Sequence, residues 1–182
     1  MSRTEVFGVP KKGGELIFLG ECTNAWRGAM WIWTKLAEKY FPGREPYSVI
    51  MKESSGFWKL IDDPRLSDTD WYAFATTLDA VVVPNELIGV VADALENFSP
   101  GTENLKMQAD LLRKAKKDGL RGVCWNQTSV NGDPWHWWTP GEDDHRYVNV
   151  DTDETWYPGG RKIWFLTSRE DFVDNEEDES GA

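Results

Sequence analysis

Cysteine, histidine and excess basic charge are all scarce in this chain, and each scarcity excludes something. The only cysteines are Cys22 and Cys124. Each sits among apolar neighbours, so no disulfide framework is expected and both thiols are expected to be buried and inert. Lys and Arg number 20 against 31 Asp and Glu. No basic stripe remains to neutralise a phosphate backbone, and direct nucleic-acid binding is disfavoured. No apolar run approaches the length of a membrane-spanning helix, so no membrane partner is expected. The first residues lack the basic, apolar and small-residue regions of a signal peptide, which makes the cytoplasm the expected location. A glycine-rich phosphate loop of Walker or Rossmann form is missing, as is a GxSxG nucleophile elbow.

What is present is the composition of a folded domain. The 182 residues are 40% hydrophobic and 28% charged, which suits one domain with a full core. The net charge of −11 is unevenly spread. Seven acids, from Glu170 to Glu179, follow the last basic residue, Arg169, and leave 24 acids against 20 bases before them. The body is therefore close to neutral at −4, and the acidity is mainly that of a tail. Residues 1–169 are read as a single α+β domain and residues 170–182 as an acidic, disordered, self-repelling extension. The basic group Arg113, Lys114, Lys116 and Lys117 reads as the solvent face of a helix.

Periodicity places the elements. Residues 6–22 read as a hairpin, with a Pro and Gly-Gly turn between two apolar strands. Asn24 is expected to cap a helix over 25–40, with Trp26, Ala29, Met30, Trp33, Ala37 and Tyr40 on its buried face. Within residues 45–65, Gly56 and Pro64 bracket an apolar group, Phe57, Trp58, Leu60 and Ile61, that suggests one or two helical turns. Ser67 with Asp70 resembles a capping arrangement for a helix ending near Asp79. Val81, Val82 and Val83 precede a helix whose first turn contains Pro84, and a further helix over 102–118 stops at Gly119. Strands follow at 120–126, 146–150 and 162–167. The fold class expected is α+β: an antiparallel sheet, built from the N-terminal hairpin and the C-terminal strands, packed on a layer of about four helices.

Three groups of residues carry candidate chemistry. Asp151, Asp153 and Thr155 match the DxDxT pattern that resembles haloacid-dehalogenase-like phosphotransferases, in which the first Asp attacks phosphorus and the second handles the proton. Pro158, Gly159 and Gly160 interrupt the helix that this resemblance requires, so a polar inter-strand connection is the reading kept. His136 and His145, with Asp143 and Asp144, have the donor types of a small metal-dependent hydrolase, although their spacing matches no zinc module. Cys124 with a histidine and Asn126 has the residue types of a cysteine nucleophile set, but it lies in a core strand between Val123 and Trp125. No metal site or cofactor is assigned, and the chain is read as non-enzymatic.

Eleven tryptophans are the anomaly of the body. Trp26, Trp33, Trp58, Trp71, Trp125 and Trp164 fall on core positions, and Trp31 lies off the stripe of its helix. Trp135, Trp137, Trp138 and Trp156, with Tyr157, lie in polar loop segments. Such a cluster either packs on itself as a satellite core or anchors a ligand or partner. The leading reading is a small binding protein that contacts another protein through this Trp-rich patch. The alternatives are the hydrolase using His136, His145, Asp143 and Asp144, and a carbohydrate or small-ligand module stacking on Trp135, Trp137 and Trp138. Small proteins of this kind are common accessory products of phages and other mobile elements. The segments WRGAMWIW and CWNQTSVNGDPW have that character without identifying a family. The sequence leaves the oligomeric state open.

Overall fold

A computed structural model of the chain describes residues 4–12, 14–22, 28–78, 81–127, 147–148, 155–156 and 162–172. They form an α+β fold. Strands β1 (Thr4–Val9), β2 (Gly14–Glu15) and β3 (Ile17–Cys22) open the chain, followed by helices α1 (Ala29–Tyr40), α2 (Pro46–Met51) and α3 (Asp68–Ala75). Strand β4 (Val81–Pro84), helices α4 (Ile88–Asn97) and α5 (Glu103–Lys117) and strands β5 (Gly122–Gln127), β6 (Tyr147–Val148), β7 (Thr155–Trp156) and β8 (Lys162–Phe165) complete it. The main sheet has the order β3-β1-β5-β4-β8-β7, and β2 pairs separately with β6. From β3 to β4 every pairing is antiparallel. At the far side β8 runs parallel to β4, with Val82 opposite Phe165.

The expected hairpin is present and carries a bulge. Val6 faces Gly20 and Phe7 faces Phe18, which leaves Leu19 as the extra residue on β3. Leu19 packs with the helix-side core, whereas Phe7 and Phe18 meet edge to face on the other side of the sheet, 5.9 Å apart. The sheet thus has two different faces. Val6, Cys22, Val81, Val83, Val123 and Trp125 join the side chains of all five helices in one large core. On the opposite face Val9, Leu16, Val82 and Cys124 form a second buried cluster flanked by Phe7 and Phe165, and no described helical residue belongs to it.

Helix boundaries follow local chemistry. The first helix is described from Ala29, with Gly28 in the cap position at φ of 74°, a left-handed conformation that suits glycine; the expected cap Asn24 and residues 25–27 lie outside the described residues. Its buried face is Ala29, Ile32, Leu36 and Ala37, so the stripe is rotated from the one expected and Trp33 and Tyr40 sit at its margin. Helix α2 lies ahead of the apolar group in which the sequence suggests one or two helical turns, and that group forms the 3₁₀ helix Trp58–Asp62. Pro46 occupies its first turn, and the Glu45 carboxylate accepts from the Tyr47 and Ser48 N–H groups. Short 3₁₀ turns follow at Glu53–Ser55 and Trp58–Asp62. The cap at Ser67 is as expected, its hydroxyl accepting from the Asp70 N–H at 3.2 Å.

The correction with the largest consequence is in the middle of the chain. Pro84 ends a strand and does not begin a helix, and Val81, Val82 and Val83 form the interior strand β4 between β5 and β8. Both faces of β4 are buried, and a strand covered on both sides shows no alternation by which to recognise it. Helix α5 closes as expected: Gly119 has φ of 68° and the Leu120 N–H reaches back to the Ala115 carbonyl at 3.1 Å. Its Arg113 bridges Asp93 and Glu96 of α4 at 2.7 and 2.6 Å, which accounts for that member of the basic group. No helix among the described residues is long and apolar enough to cross a membrane.

Candidate functional site

Trp135, Trp137, Trp138, Tyr157, His136, His145, Asp143 and Asp144 all lie outside the described residues, as do Asp151 and Asp153. Trp156 is described through its backbone alone, in β7, where it pairs with Lys162. The described backbone nevertheless fixes where the Trp-rich stretch is attached. Gln127 ends β5, Tyr147 and Val148 pair with Glu15 and Gly14 in the separate two-stranded sheet, and Thr155 and Trp156 pair with β8 of the main sheet.

The remaining described tryptophans sort by burial. Trp71 and Trp125 are core residues, and the Trp71 indole N–H donates to the Ile61 carbonyl at 2.9 Å. Trp31, ambiguous from its position, is structural: its indole N–H donates to the Phe98 carbonyl at 2.8 Å, and Gly101 leaves room for its ring. Trp33 donates to the Thr77 hydroxyl at 2.8 Å. Trp58, expected in the core, is 41% exposed. It stacks on Phe74 at 5.9 Å and meets Trp33 edge-on at 5.0 Å, so one side is packed and the other faces solvent.

Cys124 is wholly buried, its sulfur 3.7 Å from the Phe7 carbonyl oxygen, which is the setting of an inert thiol. Cys22 is equally buried. The two point to opposite faces: Cys22 pairs with Thr4 and Cys124 with Phe7, and positions three apart on one strand alternate sides. Among the described residues no group of three or more His, Cys, Asp or Glu side chains is placed to hold a metal.

Strongly held charges are structural ties. Asp70 of α3 is buried and accepts from the Tyr40 hydroxyl at 2.7 Å and the Lys39 ammonium at 2.5 Å. Burial pushes its carboxyl up, but the hydrogen bonds from Lys39, Tyr40 and Ser67 together outweigh that and hold it below the usual carboxylate range. Asp63 receives both the side chain and the backbone N–H of Arg65, which lower its carboxyl to about 2. Arg169 donates to the carbonyls of Leu66 and Asp63 and to the Asp68 carboxylate. This draws the 3₁₀ turn Arg169–Asp171 onto the α3 entrance, where Phe172 packs edge-on against Trp71 at 5.3 Å.

One feature with site-like shape went unnoticed in the sequence. A cleft of about 470 Å³ opens beyond the carboxyl ends of the parallel strands β4 and β8, within the size range of small-ligand and side-chain pockets. Leu87, Phe165 and Leu166 give it an apolar wall, and Glu86, Arg121 and Asp171 are its charged members. The rim is well fixed. Asn85 donates its backbone N–H to the Arg121 carbonyl at 2.7 Å and its side-chain amide to the Leu120 carbonyl at 2.6 Å. The Arg121 N–H in turn reaches the Val9 carbonyl at 2.8 Å. The Arg121 guanidinium lies over the Phe165 ring, 4.8 Å from its centre. The Ser168 hydroxyl donates to the Asp171 carboxylate at 2.6 Å. These residues come from three separate stretches of chain, so no local motif announces them. Comparison with protein-family models, with curated proteins and with solved structures returns no match for the chain.

Proposed function

We propose that this protein is a small, non-enzymatic interaction protein of the cytoplasm that binds another protein through its Trp-rich segment, with Trp135, Trp137, Trp138, Trp156 and Tyr157 as the contact residues. The observation that carries the reading is the pairing of that segment at two separated places, β6 with β2 in the two-stranded sheet and β7 with β8 in the main sheet. Chain held by a rigid scaffold at several points loses less conformational freedom on binding than a free loop does. Tryptophan is the residue type most enriched among side chains that dominate binding energy at protein interfaces. The near neutrality of residues 1–169 suits contact through aromatic surface more than through long-range charge. A role as an accessory product of a phage or other mobile element fits the small size and aromatic loops.

The test is affinity purification with wild-type protein and with a Trp135→Ala/Trp138→Ala variant whose circular dichroism and melting temperature match wild type. Partners captured by the wild type and lost by the variant support the reading. Retention of every partner by the folded variant contradicts it. The hydrolase alternative makes a separate demand: stoichiometric Zn²⁺ or Mn²⁺ in purified protein, lost in His136→Ala or His145→Ala.

A further inference from the structure

Strand β3 is the terminal strand of the main sheet among the described residues, and helix α5 lies beneath it. A Cβ on Gly20 of β3 would stand 3.0 Å from a Leu111 methyl of α5. On one flank α5 meets α4, where Arg113 bridges Asp93 and Glu96. Leu111 is two positions from Arg113, about 160° round the helix axis, so it marks the flank turned away from α4. Asn104, Met107 and Lys114 continue that flank at spacings of three and four residues, the period of a helix–helix seam. All four are half-buried or exposed. A groove of about 370 Å³ runs along the helix here, with Met107 and Leu111 as its apolar part.

We infer that this side of the molecule is a homodimer interface, in which a second copy of the chain meets the β3 edge and α5 about a twofold axis perpendicular to the sheet. Such an axis continues the sheet layer and the helix layer at once. The edge offers apolar surface on both faces of the sheet. Phe18, 55% exposed, lies on the face away from the helices, and its neighbour Ile17, 44% exposed, points to the helix side. The bulge at Leu19 breaks the regularity of the β3 edge, which discourages addition of an arbitrary strand. Recognition therefore rests on side chains.

Charge selects a second copy as the occupant. A twofold axis perpendicular to the sheet reverses every direction in its plane, so the two α5 helices run antiparallel. Glu103 stands in the first turn of α5 and Lys117 in the last. With Leu111 near the axis, Glu103 of each copy is set against Lys117 of the other, and the two contacts are identical by symmetry. A parallel arrangement would instead set like charges together. The surface is thus self-complementary in the one orientation that joins both layers, and it uses no residue of the Trp-rich segment.

The test is sedimentation velocity of the full-length chain across a wide range of concentration, with melting temperatures verifying that each variant is folded. Wild type is expected to reach twice the chain mass in a reversible, concentration-dependent step. Ile17→Lys/Met107→Lys raises the dissociation constant at least about tenfold. Glu103→Lys and Lys117→Glu each bring like charges together and weaken the dimer, less so at raised salt. The double variant Glu103→Lys/Lys117→Glu restores opposite charges and recovers the wild-type dissociation constant. A wild-type chain that stays monomeric overturns the inference and leaves this surface to a different protein. Assembly beyond the dimer also overturns it, since a twofold contact closes on itself. So does undiminished dimerisation of the folded Ile17→Lys/Met107→Lys variant, or a folded double charge swap that dimerises no better than either single variant.

Discussion

Lys39, in the last turn of α1, donates its ammonium to the Asp70 carboxylate of α3 at 2.5 Å, and the neighbouring Tyr40 hydroxyl reaches the same oxygen. One buried acid therefore ties the end of one helix to the start of another. Tyr40 extends the tie, its hydroxyl oxygen accepting from the Ser67 N–H at 3.2 Å.

Asp70→Asn removes the charge and weakens both bonds, and the expected cost is about 1–3 kcal/mol at neutral pH, read by urea denaturation. The folded-state carboxyl lies below its ordinary value of 3.8. Its contribution is therefore complete above that value and is lost as the pH falls through the folded-state value. Lys39 is raised above 10.5, so its share is complete below that pH and is lost as the pH rises past the folded-state value. Because Lys39 is more than half exposed, that alkaline loss is small. The difference between wild type and Asp70→Asn should shrink in acid. A difference independent of pH from neutrality down to the acid transition would show that the carboxylate charge is not what matters.

Gly122 opens β5 opposite Pro84 of β4. A Cβ there would lie 2.7 Å from the Val83 carbonyl oxygen, a backbone atom that cannot swing aside, and 3.0 Å from a Val82 methyl. Gly122→Ala is expected to destabilise the fold by about 2 kcal/mol through displacement of the β4–β5 pairing. A melting temperature equal to wild type would refute the close approach.

The two cysteines offer a test of the sheet register. With Cys22 and Cys124 buried on opposite faces, an intramolecular disulfide is geometrically excluded. Native protein should react slowly with a thiol reagent and release both thiols at once in denaturant, even after exposure to air. Rapid reaction of Cys124 in native protein would revive the nucleophile reading.

The parts of the fold legible in the sequence were those whose signal is local. Ser67 three residues before Asp70 marked the start of α3, and the Leu105, Ala109, Leu112 and Ala115 stripe with Gly119 marked α5 and its end. What escaped depended on partners far along the chain. Val81, Val82 and Val83 are too few and too uniformly apolar to declare a strand, and only the flanking β5 and β8 make them one. Glu45 and Pro46 did carry a local signal for α2, a capping acid before a first-turn proline, which a reading led by hydrophobic period overlooks. The cleft was invisible for the reason β4 was: Glu86, Arg121, Phe165 and Asp171 meet only after the sheet has formed.

The central claim is that aromatic side chains of the Trp-rich segment carry the binding energy for a protein partner. Its most direct test is isothermal titration of a purified partner, first recovered with the wild-type chain, into wild type and the folded Trp135→Ala/Trp138→Ala variant. The account predicts a loss of affinity of at least about tenfold, with the melting temperature of the free protein unchanged. Equal affinities for the two proteins would contradict it.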